Sequence, residues 1–369
     1  MWFKRMSLED WFDTWQYHTR FDVGESAVKF LSVADLGIDL SQVALRYGHH
    51  TGRPELRALV ADEYPGLADT QVIVTSGAAE AIFAITAALV GPGDHVIVEH
   101  PNYPSTYDVP RGLGCEVTLF PLRFEDAFKP DLDRLAAMVR PQTKLIVFTH
   151  PNNPTGSMIT TAELRALVEF AEARRIHLLF DETYRHMAFG DVLPTAASLS
   201  PWAISVTSMS KCYGLPGIRM GWLATRSQAV LDGVLAVREQ VTITNTALSE
   251  TIATHVLARR DEFLARGRAH VAANLAIARD WMASQPRLEW VAPEGGVVAL
   301  PRFRDDALDE DPEALYVALA REHRVFVVPG RCFEVDNRHF RLGFGGTASE
   351  LRAGLDRVGN VLAGTVPAA

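Results

Sequence analysis

The residues best suited to chemistry sit in one run, Ser208-Met209-Ser210-Lys211-Cys212-Tyr213-Gly214-Leu215-Pro216-Gly217-Ile218-Arg219-Met220-Gly221. A lysine just after a strand-like stretch, with two serines before it and an arginine eight positions on, offers an amine beside a ready anion site. A Schiff-base cofactor carrying a phosphate needs that arrangement. Alone, Lys211 would read as a surface lysine next to a glycine-rich turn; its companions argue otherwise. In Phe180-Asp181-Glu182-Thr183-Tyr184 a carboxylate ends an apolar run, where open α/β sheets gather ligand-binding groups. Buried there, Asp181 would need a cationic partner, which a protonated pyridine nitrogen supplies, and Tyr184 could hydrogen-bond a ring oxygen. Taken alone, acidic residues also end strands simply as helix caps. His150-Pro151-Asn152-Asn153-Pro154-Thr155-Gly156 is a rigid turn by composition, and Asn153 could donate its amide to a ring oxygen. Thr75-Ser76-Gly77-Ala78-Ala79-Glu80 leads from a strand into an apolar helix whose free N–H groups would face an anion. Arg341 lies inside the apolar run Phe340-Arg341-Leu342-Gly343-Phe344, where an unpaired guanidinium is costly; a structural salt bridge is the ordinary reading.

These residues need a scaffold, and the chain predicts one. Between 72 and 225 short β-branched runs alternate with helical segments, the pattern of a parallel sheet wrapped by crossover helices. Strands are expected at 72–75, 95–99, 116–120, 144–149, 177–180, 203–207 and 220–225. Thr160-Thr161-Ala162-Glu163 reads as a capping box, with Leu164, Leu167, Val168 and Ala171 following at helical spacing. After 225 long helices are expected at 247–266 and 268–284. A smaller α+β part follows, with strands near 288–291, 297–300, 325–328 and 339–342 and helices near 312–321 and 348–362. The division expected is an N-terminal arm with part of the small domain over 1–46, a large domain over 47–285, and a C-terminal small domain over 286–369. The aromatic residues Trp2, Trp11, Trp15 and Tyr17 are read as packing.

The chain has 369 residues, 48 % hydrophobic and 22 % charged, enough for one large domain and a smaller one. A formal net charge of −9 argues against a nucleic-acid partner. The three cysteines do not make a disulfide scaffold and suit a reducing compartment. No apolar stretch approaches the roughly 20 residues of a membrane helix, and the first ten residues are too charged for a secretory signal, so no membrane partner and a cytoplasmic address are expected. No metal site is expected.

In order and across nearly the whole chain, these segments resemble the pyridoxal-phosphate enzymes of the class I/II aminotransferase superfamily, and 208–221 fits the family's lysine signature at every position. The resemblance implies pyridoxal 5'-phosphate as cofactor and a role for each matching position. Lys211 matches the lysine that carries the cofactor and later shuttles the proton, and Asp181 the partner of the pyridinium nitrogen. Asn153 and Tyr184 match the contacts of the ring hydroxyl. Ser208, Ser210 and Arg219, with the backbone of Gly77 and Ala78, match the phosphate cradle, and Tyr103 matches the aromatic that stacks on the ring. Tyr47 matches a tyrosine that reaches the phosphate in a neighbouring subunit, which implies a homodimer with shared sites. Arg341 matches the fork that clamps the substrate's α-carboxylate. Gly24 matches a flexible glycine on the substrate side, although Glu25 and Ser26 depart from the common pattern there.

The implied reaction is transamination of an α-amino acid through aldimine, quinonoid and ketimine intermediates, with the amino group passed to a 2-oxo acid in ping-pong fashion. The same carbanion can expel a β-substituent. Leu8-Glu9-Asp10-Trp11, Asp22-Val23-Gly24-Glu25-Ser26-Ala27-Val28, Ser210-Lys211-Cys212-Tyr213-Gly214-Leu215-Pro216-Gly217, Gly295-Gly296-Val297-Val298-Ala299-Leu300-Pro301-Arg302-Phe303 and Val327-Val328-Pro329-Gly330-Arg331 look closer to capreomycidine synthases, which eliminate a β-hydroxyl from a hydroxylated arginine and close a guanidine ring. Against that, 151–156 and 181–184 keep the ordinary aminotransferase form. An aminotransferase-like ligand sensor would need an attached DNA-binding domain, for which the chain ahead of Gly24 leaves no room. Glu25, His49, His50 and Arg185 are the candidates for reading the substrate's side chain: Arg185 would favour an acidic one, Glu25 a basic one.

Overall fold

The computed structural model describes residues 3–304 and 312–364, so Trp2 lies outside the described residues. The chain opens with helix α1 (Ser7–Trp15) and the two-residue strand β1 (Phe21–Asp22). Helices α2 (Val33–Leu36) and α3 (Pro54–Ala61) precede the first strand of the large sheet. That sheet then unfolds in sequence as β2 (Val72–Thr75), α4 (Gly77–Leu89), β3 (His95–His100), α5 (Ser105–Gly112), β4 (Glu116–Pro121), α6 (Leu132–Met138), β5 (Thr143–Thr149), α7 (Thr161–Ala173), β6 (His177–Asp181), β7 (Ala203–Ser208) and β8 (Gly221–Thr225).

All seven predicted strands form. The spatial order is β2-β8-β7-β6-β5-β3-β4, with β8 antiparallel to both neighbours and the remaining pairs parallel. Strands such as Leu178, Leu179 and Phe180 are apolar without alternation because both faces are covered. On one side Leu178 and Phe180 meet Leu164, Leu167, Val168 and Ala171 of α7; on the other Leu179, Ile204 and Val206 meet Ile82 and Ile85 of α4. The capping box at the start of α7 forms, Glu163 N donating to Thr160 Oγ1 at 3.2 Å and Thr160 N to Glu163 Oε2 at 2.6 Å.

Beyond the sheet come α8 (Gln228–Arg238), α9 (Ala247–Leu257) and α10 (Arg260–Ala283). The helix break therefore falls at 258–259, not at Gly267 as the glycine suggested. Gly267 lies within α10, where an added Cβ would come 3.0 Å from Met187 Cε and 3.3 Å from the carbonyl of Cys212. The glycine serves close packing against the Lys211 loop rather than a turn. The smaller α+β part holds β9 (Leu288–Glu289), β10 (Val298–Ala299), β11 (Arg302–Phe303), α11 (Glu313–Arg321), β12 (Val325–Phe326), β13 (Val328–Pro329), β14 (Phe340–Gly343) and α12 (Ala348–Leu362).

The single strand expected near 325–328 divides at Val327. β12 pairs in parallel with β1, whereas β13 pairs antiparallel with β14. The N-terminal segment is thereby stitched to the C-terminal one. Trp11 is buried, and its indole donates to Val327 O at 2.8 Å. Tyr17 is 81 % exposed and does not pack on this chain, contrary to the expectation. Among the described residues no helix is long and apolar enough to cross a membrane.

Candidate active site

The parallel strands end along one edge of the sheet, and the loops leaving them carry the chemistry. Asp181 is the last residue of β6, in register with Thr149 of β5. Ser208 ends β7 and pairs with Gly221, which also pairs with Thr75 at the end of β2. Above this edge lies a cavity of about 450 Å³ whose lining includes Ala78, Tyr103, Asn153, Asp181, Tyr184, Ser208, Ser210, Lys211, Arg219 and Arg341. Residues 263 positions apart in sequence are thus brought to one space.

Lys211 Nζ donates to Ser26 Oγ at 2.9 Å and to Glu25 Oε1 at 3.4 Å. Ser26 also accepts the Tyr184 hydroxyl at its carbonyl, 2.6 Å away. Burial pushes the Tyr184 phenol above its ordinary value, so it remains a hydrogen-bond donor. The segment bearing Ser26 runs so close to β14 that a Cβ on Gly343 would overlap the Glu25 carbonyl.

Asp181 is 5 % exposed, and its carboxylate meets only uncharged donors of Thr183. Burial raises its pKa, with a further push from the Glu99 charge, against the lowering effect of the Thr183 hydroxyl and amide. A sunken carboxylate without an ion-pair partner among the described residues fits a cationic ring nitrogen.

The phosphate end is a cradle shaped by what it lacks. Gly77 begins α4 with φ +79°, and a Cβ there would sit 2.7 Å from the Arg219 guanidinium. Arg219 itself is held at φ +50° and donates to Ser76 O at 3.5 Å, so its guanidinium stands at the helix N-terminus. Ser208 and Ser210 line the cavity beside it. The donor set fits a phosphate.

Arg341 is 1 % exposed. Its guanidinium donates to Gly24 O, at 3.1 Å from Nε and 2.8 Å from Nη2, and to Asn153 Oδ1 at 3.2 Å. These are neutral acceptors, and among the described residues no carboxylate lies within ion-pair distance of it, so a structural salt bridge, the ordinary reading of such an arginine, is not what holds it. Gly24 is not part of the lining; its carbonyl positions Arg341 instead.

Of the four side-chain-reading candidates only Glu25 lines the cavity. Arg185 turns to Leu193 O and Glu63, His50 to Glu239, and His49 lines a separate surface groove with Tyr47. Tyr47 is 82 % exposed and outside the cavity of its own chain. Residues the sequence reading did not assign to the site also line it: Leu8, Glu9 and Phe12 of α1, Ser26, Ile82, Thr149 and Thr183. Leu8, Glu9, Ser26 and Thr183 fall in or beside runs singled out in the sequence, but nothing in those runs gave them a role in the cavity.

Residues 19–358 match the family model of class I and II aminotransferases. The chain belongs to that family, and its cofactor is pyridoxal 5'-phosphate. It is 31 % identical to the capreomycidine synthase of Streptomyces vinaceus over 96 % of this chain and 93 % of that one. A solved PLP-dependent aminotransferase from Streptococcus suis superposes with a TM-score of 0.93 at 31 % identity, covering 100 % of both chains. The PLP-dependent cyclase OrfR superposes with a TM-score of 0.92 at 31 % identity, covering 99 % of both.

Proposed function

We propose that the protein transfers the amino group of an α-amino acid to a 2-oxo acid, with Lys211, Asp181, Asn153, Tyr184, Tyr103, the Gly77–Ala78 turn, Ser208, Ser210 and Arg219 holding the cofactor and Arg341 the substrate. The carrying observation is the buried guanidinium of Arg341, bonded only to neutral oxygens, in one cavity with Lys211. A carboxylate entering that cavity gains a bidentate, charge-assisted fork, and the α-carbon is thereby brought within reach of the lysine.

The bound cofactor supplies an electron sink that makes the substrate's Cα–H acidic. The chain's own groups do the rest. With the cofactor bound, Asp181 would keep the ring nitrogen protonated, Tyr184 and Asn153 would offer hydrogen bonds to the ring oxygen, and Tyr103 would cover the ring. The Lys211 amine would take the proton from the substrate's Cα and deliver it to the cofactor carbon that had carried the aldehyde. Ser26, within 2.9 Å, gives that amine a fixed resting contact.

The similarity to a capreomycidine synthase and to a PLP-dependent cyclase supports a second reading, expulsion of a β-substituent followed by ring closure. One experiment separates the two. The loaded enzyme is mixed with single amino acids and no 2-oxo acid while the cofactor spectrum and the products are followed. One equivalent of aminated cofactor and no turnover supports transamination; repeated turnover without an acceptor supports elimination.

The exposed Leu45, Tyr47, Val241 and Ile243 support a homodimer in which Tyr47 serves the partner's cofactor phosphate.

A further inference from the structure

We infer that the substrate's side chain ends in a cation, an ammonium or guanidinium, and that Glu25 together with Glu9 on α1 selects it. The inference rests on the reading of the cavity as an amino-acid site and adds to it the class of amino acid.

The argument is one of charge matching inside a confined space. The charged residues lining the cavity are Glu9, Glu25, Asp181, Lys211, Arg219 and Arg341. With cofactor and substrate bound, Asp181 would face the ring nitrogen, Arg219 the phosphate and Arg341 the α-carboxylate, while the Lys211 amine would be tied to the cofactor until the substrate's amine displaces it and would then stand as a neutral base. Glu25 would then lose its ammonium neighbour, and two carboxylates would remain with no further cation among this chain's own lining residues to balance them. For the half-buried Glu25 an unpaired charge is costly and a cationic side chain pairs it, whereas the exposed Glu9 adds only a favourable field at the open side.

Position and packing agree. Glu25 is the residue after Gly24, whose carbonyl holds the Arg341 fork, so it stands beside the clamp for the substrate's α-carboxylate. Its carboxylate is oriented by the Ser26 amide at 2.7 Å and by Gln16 Nε2 at 3.2 Å, leaving it little freedom. Burial opposes its charge, yet Lys211, Arg341 and these two donors hold it ionised below the usual carboxylate range. Glu9 sits on the first turn of α1, exposed, and accepts the Tyr103 hydroxyl at 3.4 Å. It belongs to the open side of the cavity. Leu8, Phe12 and Ile82 line the same space and can cover an aliphatic stem, as the long side chains of basic amino acids present. For an acidic side chain this chain's own lining offers nothing once Arg219 and Arg341 are engaged, because its Arg185, His49 and His50 lie outside its cavity.

The test titrates the loaded protein with L-arginine, L-lysine, L-citrulline, L-alanine and L-aspartate, following the cofactor spectrum to half-saturation. Citrulline keeps arginine's shape without its charge. Arginine or lysine is expected to half-saturate at least about tenfold below citrulline, the worth of one charge-assisted hydrogen bond. In Glu9→Gln and Glu25→Gln the loss for arginine should exceed the loss for alanine by about threefold or more. Equal affinity for citrulline and arginine, or tighter binding of aspartate, overturns the inference and leaves the amino-acid site standing. Equal losses for arginine and alanine in both variants overturn it too, since the carboxylates would then serve only Lys211 and Arg341. A loaded protein whose spectrum responds to no amino acid overturns the underlying reading as well.

Discussion

Lys211 Nζ and Ser26 Oγ stand 2.9 Å apart, although 185 positions of sequence separate them. The contact joins the loop after β7 to the segment after β1, and Lys211 O accepts Val28 N at 3.1 Å from the same segment. The Lys211 amine is thus held between the large sheet and the strand pair that ties the N-terminus to β12, the place where an amino acid held by Arg341 would meet it in the proposed reaction.

Replacing the amine isolates its role. Lys211→Ala should lower turnover by at least about 10²- to 10⁴-fold, the usual worth of a positioned acid–base group, while Arg219, Ser208 and Asp181 still retain the cofactor non-covalently. Borohydride treatment followed by mass spectrometry should find a reduced covalent adduct in the parent and none in the variant. Normal rates from the variant would remove Lys211 from the mechanism.

Arg341→Ala should raise the amino acid's KM by about ten- to a hundredfold, since hydrogen bonds to a charged group contribute about 1.5–3 kcal/mol. Cofactor affinity, measured by fluorescence titration, should change far less. Parallel losses of both would assign Arg341 to the fold instead.

Glu182 makes stability depend on pH. Burial pushes its carboxyl up to about 7, against the Arg185 charge and hydrogen bonds from Ser205 and the Ala196 amide. The folded state therefore binds this proton more tightly than the unfolded chain does. Its contribution is fully present below the unfolded carboxyl's pKa of about 4.3 and is lost as pH rises through about 7, on the order of 3 kcal/mol in all. The urea midpoint of the cofactor-free protein should fall between pH 5 and 7.5, and Glu182→Gln, which keeps the acceptor oxygen, should flatten that fall. Parallel profiles for the two proteins would refute it.

The proposed homodimer with shared sites makes a subunit-mixing prediction. Lys211→Ala and Tyr47→Phe should each impair the proposed homodimer, but a mixed dimer would hold one site with both an intact Lys211 and the partner chain's intact Tyr47. Unfolding and refolding the two together should recover activity above either alone, toward a quarter of the parent's if pairing is random. No recovery, with mixed dimers demonstrated by mass, would remove Tyr47 from the neighbouring site.

The large sheet was legible because strands buried on both faces must be apolar along their length, and 177–180 or 203–207 leave few other readings. The helix break near 258 was not legible, since Gly267 signals a turn to a reader who cannot see Cys212 packed against it. The division of 325–328 between two sheets was hidden for the same reason: Val325 to Val328 look alike, and only their pairing partners differ.

By itself the sequence determined which groups are available: an amine, a strand-end carboxylate, a phosphate-binding turn and an arginine in an apolar strand, each marked by its immediate neighbours. Only the tertiary structure decided which of Glu25, His49, His50 and Arg185 enters the cavity, and it alone added Glu9, Phe12 and Ser26. The reason is physical. A catalytic signature is local, written in the turn that holds it, whereas the wall facing a substrate is assembled from segments whose nearness is set by strand pairing and burial across the whole chain.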